Sequence, residues 1–128
     1  SIIKMVKTFL LVGLGGFIGS VARYGVGLGF SKIVRLTFPY GTFTVNLLGC
    51  LFIGLIFGLS EKYDWMTDEW RIFLTLGFCG GFTTFSTFAF ENMSMLQNSN
   101  YLGFILYSVG SLLLGLLAVW GGLALTKI

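Results

Sequence analysis

GGFTTFSTF, Gly80 to Phe88, lies inside an apolar run of the length that crosses a membrane. It opens on two glycines, then alternates hydroxyls with phenylalanines. Hydrocarbon offers no partner to loose backbone or polar side chains. Two helix weakeners and the hydroxyls of Thr83, Thr84, Ser86 and Thr87 therefore need a reason. Core packing is the ordinary reading of an aromatic stripe, and Phe82, Phe85 and Phe88 recur every third residue along one side of a helix. Three features argue against it. Gly80 and Gly81 invite a break in the helix. A break at membrane depth is tolerated where protein buries it or a cavity wets it. A phenyl ring has a positive edge that meets an anion without carrying a charge. Together these describe a path for a small anion. No fixed cation holds the ion too tightly to leave, as conduction requires. Carbonyls freed by the same break can hold a cation.

Composition agrees with a membrane setting. The chain has 128 residues, enough for one domain. It is 55% hydrophobic and 10% charged, where soluble domains average about 25% charged. There is no histidine, and the first carboxylate is Glu61. A histidine base, a catalytic carboxylate pair and a His/Cys metal set are thereby excluded, and the chain does not read as an enzyme. Cys50 and Cys79 fall inside apolar runs and read as small buried apolar groups. The net charge of +3 has no basic cluster suited to nucleic acid. VGLGGFIG, Val12 to Gly19, lacks the third glycine of a dinucleotide loop and the acid that would follow it, so it does not read as a nucleotide site.

Four runs reach the roughly 20 apolar residues that a spanning helix needs. They cover about Met5 to Gly29, Tyr40 to Leu59, Trp70 to Leu96 and Tyr101 to Leu125, within a single transmembrane domain over 1–128. The first is too long for a cleaved signal peptide, and three spans follow it. Ser1 in place of methionine points to trimming or a cloning scar. Four spans put both termini on one side, with Lys4, Lys7, Lys62, Arg71 and Lys127. The other side holds Arg23, Lys32 and Arg35. Five against three is a weak bias for the rule that fixes topology by Lys and Arg. A chain so balanced is expected to insert both ways and to pair as an antiparallel dimer, although single-orientation proteins also show weak bias. Glycines four apart (Gly15/Gly19, Gly25/Gly29, Gly54/Gly58, Gly77/Gly81) predict close helix packing.

The remaining polar residues each have two readings. Asn46, mid-span in TFTVNLLG, either bonds a neighbouring helix or lines a wet path. Arg23 either snorkels to the interface, the reading slightly favoured, or draws anions to a vestibule. Tyr107 and Ser111 share one face of the last span. With Ser108 they either line something other than lipid or bond carbonyls one turn back.

GFCGGFTTFSTFAFE (Gly77 to Glu91), GTFTVNLLG (Gly41 to Gly49) and GLGGFIGSVARY (Gly13 to Tyr24) resemble the Fluc/CrcB fluoride channels in order and over nearly the whole length. The resemblance implies an all-α membrane protein with four transmembrane helices, the third broken near its middle, in an antiparallel dual-topology homodimer. It implies fluoride export by passive electrodiffusion across a bacterial inner membrane, and a structural sodium ion at the dimer centre. By motif, the backbone carbonyls of Gly80 and Thr83 would hold sodium. Phe85, Phe88 and Asn46 would line the fluoride pore, with Ser86, Thr87, Tyr107 and Ser111 in a polar track. Arg23 and Glu91 would sit near the vestibule or a pore end. A proton-coupled four-helix exporter is the main rival, but it needs a titratable carboxylate in the membrane, which the first two spans lack. A non-transporting assembly subunit is the other.

Overall fold

The computed structural model describes residues 1–33 and 38–128; Arg35, counted above among the charges of the first link, lies outside them. The chain forms α1 (Ile2–Ile33), α2 (Tyr40–Lys62), α3 (Asp68–Ile72), a π-helical segment (Phe73–Cys79), α4 (Gly80–Phe82), α5 (Phe85–Gln97) and α6 (Tyr101–Leu125), with no strand among the described residues. Four helical stretches are long and apolar enough to cross a membrane, the third running from Asp68 to Gln97. The predicted last span matches α6 at both ends. The other three helices run on past the apolar runs, because a helix continues into the headgroup region for as long as its backbone bonds are met. The 32 residues of α1 span about 48 Å at 1.5 Å each, well beyond the hydrocarbon thickness.

The packing inverts that of a soluble protein. Large apolar side chains such as Phe9, Phe17, Leu113, Leu116 and Trp120 face outward, while glycine is the commonest residue at the buried positions. Small residues let helix backbones touch in lipid, where burying leucine gains nothing over leaving it in the bilayer. α2 pairs with α6, and α1 lies along the π-helical segment and α4. A Cβ on Gly54 would run into the backbone of Val119, and one on Gly15 would stand 2.6 Å from the Phe73 carbonyl oxygen. Gly77 and Gly81 meet α1 in the same way. Gly25 and Gly29 differ from expectation: among the described residues a Cβ there would meet nothing within 4 Å. Gly54→Val is expected to push α2 off α6 and lower stability by about 3 kcal/mol or more, measurable as a reduced melting temperature in detergent.

Contacts fix both ends of the bundle. Lys7 pairs with Glu69 at 2.9 Å, and Lys62 Nζ donates to the Thr126 carbonyl at 3.0 Å. Both termini and the second link therefore share one end. Thr67 caps α3 by accepting from Trp70 N–H, with Asp68 and Glu69 in the first turn, where the helix dipole favours acids. At the other end, α5 closes on Ser99 at φ 57, with Ser99 N–H donating to the Leu96 carbonyl and Asn100 N–H to that of Met95. This is a Schellman turn, and the Asn100 side chain then caps α6 through Gly103 N–H.

The third span departs from the sequence expectation in position. Gly80 and Gly81 are helical, Gly80 at φ −61 and ψ −38. The extended residues are Thr83 (φ −89, ψ 162) and Thr84 (φ −152, ψ 123). Gly81 serves close approach instead: a Cβ there would lie 3.0 Å from Gly16 Cα, while one on Gly80 would stand 3.7 Å from the Thr75 carbonyl of its own span. The two threonines end one helix and start the next. Thr83 Oγ1 donates to the Cys79 carbonyl at 2.8 Å, and Thr84 Oγ1 accepts from Thr87 N–H at 3.2 Å. At this point the span changes neighbours, from α1 before it to α6 after it.

Candidate functional site

Two clefts meet at the extended pair. The first, about 500 Å³, is lined by Asn46, Thr83, Thr84, Phe85, Phe88 and Ser111, among others. The second, about 530 Å³, is lined by Ser20, Arg23, Tyr24, Thr42, Thr84 and Thr87, among others. Thr84 belongs to both. The fold thus gathers Asn46, Phe85, Phe88, Ser111 and Thr83 in one place, and Arg23 with Thr87 in the adjoining one. Ser86 and Gly80 lie outside both linings. Ser86 is exposed, with its hydroxyl 3.4 Å from Thr84 Oγ1.

Asn46 reaches from α2 to the interruption. Its Nδ2 donates to the Thr84 carbonyl at 3.1 Å, and its Oδ1 accepts from Thr84 N–H at 2.8 Å. Of the two readings of Asn46, the interhelical bond is therefore present, and the residue also lines the cleft. In a continuous helix Thr84 N–H would return to the Gly80 carbonyl. Asn46 removes that donor. Thr87 N–H, which would return to Thr83, is held by Thr84 Oγ1 instead. Among the described residues, no donor meets the carbonyls of Gly80 or Thr83.

Arg23 does not run out along α1 to the interface. It is half-buried and points across to α4, with Nε donating to the Gly81 carbonyl at 3.0 Å. The snorkelling expectation is thereby corrected: the last turn of α4 leaves a carbonyl unmet at membrane depth, and the guanidinium meets it.

The aromatic and hydroxyl groups divide into two sets. Phe85 is 79% exposed and Phe88 is half-buried, with ring centroids 6.0 Å apart and planes at 44°. Phe88 also rests on Tyr107 at 4.9 Å. Tyr107 is fully buried, and its hydroxyl donates to Glu91 Oε1 at 2.8 Å. Thr42 Oγ1 donates to Glu91 Oε2 at 2.9 Å. The partners of Glu91 among the described residues are thus hydroxyls. The carboxylate lines outer clefts beside Phe38 and Pro39, one of them reaching Asn98. Ser108 bonds back to the Phe104 carbonyl at 2.6 Å, while the buried Ser111 Oγ has no partner among the described residues. The stripe read from sequence therefore splits: Tyr107 turns to Glu91, and Ser111 faces the cleft.

Thr42 was not singled out from the sequence, and Cys50 was read there as a buried apolar group; Cys79 is buried, but Cys50 is only half-buried. Thr42 stands four residues before Asn46, and that spacing placed both on one helix face. Cys50 stands four after Asn46 and lines the same cleft.

The match to known proteins extends over this whole arrangement. The profile of the family described as CrcB-like protein, Camphor Resistance (CrcB), matches residues 10–123. A relative from Azobacteroides pseudotrichonymphae named fluoride-specific ion channel FluC is 47% identical, with 96% of this chain and 98% of its own length aligned. Proteins of the same name from Flavobacterium psychrophilum and Chlorobium phaeobacteroides are 47% and 46% identical, the latter over 99% of this chain. The match takes in all four spans and both clefts, at identities that leave no room for a shared fold of separate descent. On that ground the chain belongs to the CrcB family.

Proposed function

We propose that this chain is a passive fluoride-selective channel of a bacterial membrane. The observation that carries the reading is the cleft at Thr84: among the described residues its lining has phenyl rings, an unmatched Ser111 hydroxyl and no charged side chain. Such a wall replaces part of a small anion's water without trapping it. Arg23 lines the adjoining cleft and supplies a positive charge there. The names of the 46–47% identical relatives support fluoride as the ion. The driving force is the membrane potential. External acid brings HF across the bilayer, fluoride is released inside, and a negative-inside potential expels it through an open path. No bond is made or broken, and no proton is exchanged.

Two finer parts of the reading rest on this chain's own chemistry. Phe85 is too exposed to form a closed wall alone. A second copy inserted in the opposite sense completes the path, in keeping with the five-against-three balance of basic residues. The free carbonyls of Gly80 and Thr83 are hard oxygen donors and suit a sodium ion, as unwound backbone in membrane helices does. A bound sodium would supply a fixed structural charge that joins the two copies. Single cysteines near the N-terminus test the pairing: opposed copies do not cross-link there, and efficient parallel cross-linking rules the arrangement out.

Liposomes loaded with fluoride or chloride test the function. Purified protein with a potassium shunt is expected to release fluoride fast and chloride little. Absence of fluoride release from folded protein would return the chain to the assembly-subunit reading.

A further inference from the structure

We infer that Arg23 is a positioning residue: through its Nε–H it caps the C-terminal end of α4 and decides which backbone carbonyls of the interruption stay free. Where a helix ends, its last four carbonyls lose their intrahelical donors. Here these are the carbonyls of Gly80, Gly81, Phe82 and Thr83, because Thr84 N–H goes to Asn46 and Thr87 N–H to Thr84 Oγ1. Of the four, Gly81 has a side-chain partner, the Arg23 Nε at 3.0 Å, from a residue 58 positions away on α1. A cation at a helix C-terminus also opposes the negative end of the helix dipole. α1 is close enough for this because Gly81 packs on Gly16 and Gly19 on Phe78 and Phe82.

The consequence is selective. Arg23 removes the Gly81 carbonyl from the free set and holds the last turn of α4 in place. That leaves the carbonyls of Gly80, Phe82 and Thr83 without a bond among the described residues, and the capped turn holds them in a fixed orientation. This link to a cation rests on the sodium reading above; the cap itself does not. The role differs from attraction of anions by charge, which needs no bond to Gly81.

Two substitutions of similar length separate the two roles. Glutamine places its Nε2–H at the same number of bonds from the backbone as arginine Nε and carries no charge. Methionine has the length and no donor. The first readout is hydrogen exchange at the Thr83 amide, which donates to the Cys79 carbonyl at 2.9 Å inside the capped turn. The second is the sodium concentration that gives half-maximal fluoride efflux from liposomes. Arg23→Met is expected to speed Thr83 exchange about tenfold and to raise the sodium requirement about tenfold, the scale of one hydrogen bond to a charged donor. Arg23→Gln is expected to stay within about twofold of wild type in both. Equal acceleration in the two variants, or none in either, overturns the inference. Should Arg23→Met not fold, Arg23→Ala takes its place as the variant without a donor: accelerated exchange there with wild-type exchange in Arg23→Gln upholds the inference, and wild-type exchange in both overturns it. Wild-type efflux with no sodium dependence defeats the cation reading, while the exchange comparison still decides the cap.

Discussion

Phe88→Ile is expected to cut fluoride efflux by about thirtyfold or more. The ring stands in the cleft between Phe85 and Tyr107, at 6.0 and 4.9 Å. Its edge carries partial positive charge, and isoleucine of similar bulk offers none. A cation over a ring face in a desolvated site gains about 2 kcal/mol; the same scale taken for the anion at the ring edge is about thirtyfold in rate. Phe85→Ile is expected to act in the same direction. The pair together is expected to lose less than the product of the two single losses, because rings 6.0 Å apart are coupled. Electrode-monitored efflux from liposomes measures this, with elution volume as the control for folding. Efflux within twofold of wild type in both single variants would mean that the rings only pack. Ion passage would then rest on Ser111 and the backbone.

Asn46→Leu is expected to stop efflux, a loss of about a hundredfold or more, and for a different reason. The amide meets both the N–H and the carbonyl of Thr84. Leucine leaves both unmet at membrane depth, at about 1–3 kcal/mol each. The chain has a cheaper alternative. No proline stands between Gly80 and Phe88 to forbid a continuous helix, so Thr84 N–H can return to the Gly80 carbonyl. That closes the free carbonyl and turns Phe85 and Phe88 about the helix axis, out of the cleft. Asn46→Asp separates the bond to Thr84 N–H from the bond to its carbonyl. It keeps the acceptor, loses the donor and puts a negative charge in the path of an anion. It is expected to be as inactive as leucine, but with the Thr84 amide still protected from hydrogen exchange. Full efflux in Asn46→Leu would sink the clamp and leave the interruption to be held by the threonines alone.

The sequence carried the four spans because lipid imposes a simple length rule, and a run of twenty apolar residues has few other uses. It carried the site motif because paired glycines, hydroxyls and phenylalanines conflict with that rule unless something faces away from lipid. Glycine spacing also foretold where backbones touch, at Gly15, Gly19, Gly54 and Gly77. It did not foretell that Gly25 and Gly29 meet nothing among the described residues, since a face of small residues looks alike whatever covers it.

What only the tertiary structure decided was the pairing of backbone groups far apart in sequence. The interruption was expected at Gly80 and Gly81, the residues with the weakest helix preference, yet it falls at Thr83 and Thr84. Local preference favours the glycines, but Gly81 packs closely on α1 in helical form, and the partners that satisfy an open turn lie next to the threonines. Those partners are Asn46, 38 positions from Thr84, and Arg23, 58 positions from Gly81. The widened π-helical turn at Phe73–Cys79 has no sequence mark either, and lies where Gly15 presses on its backbone. The separation of Tyr107 from Ser111, one toward Glu91 and one toward the cleft, followed from neighbours on α5 that the face of α6 alone does not name. Length and polarity placed the helices in the membrane. Where the backbone opens was settled by which side chains reach it, because in lipid a broken turn persists only where the fold supplies its hydrogen bonds.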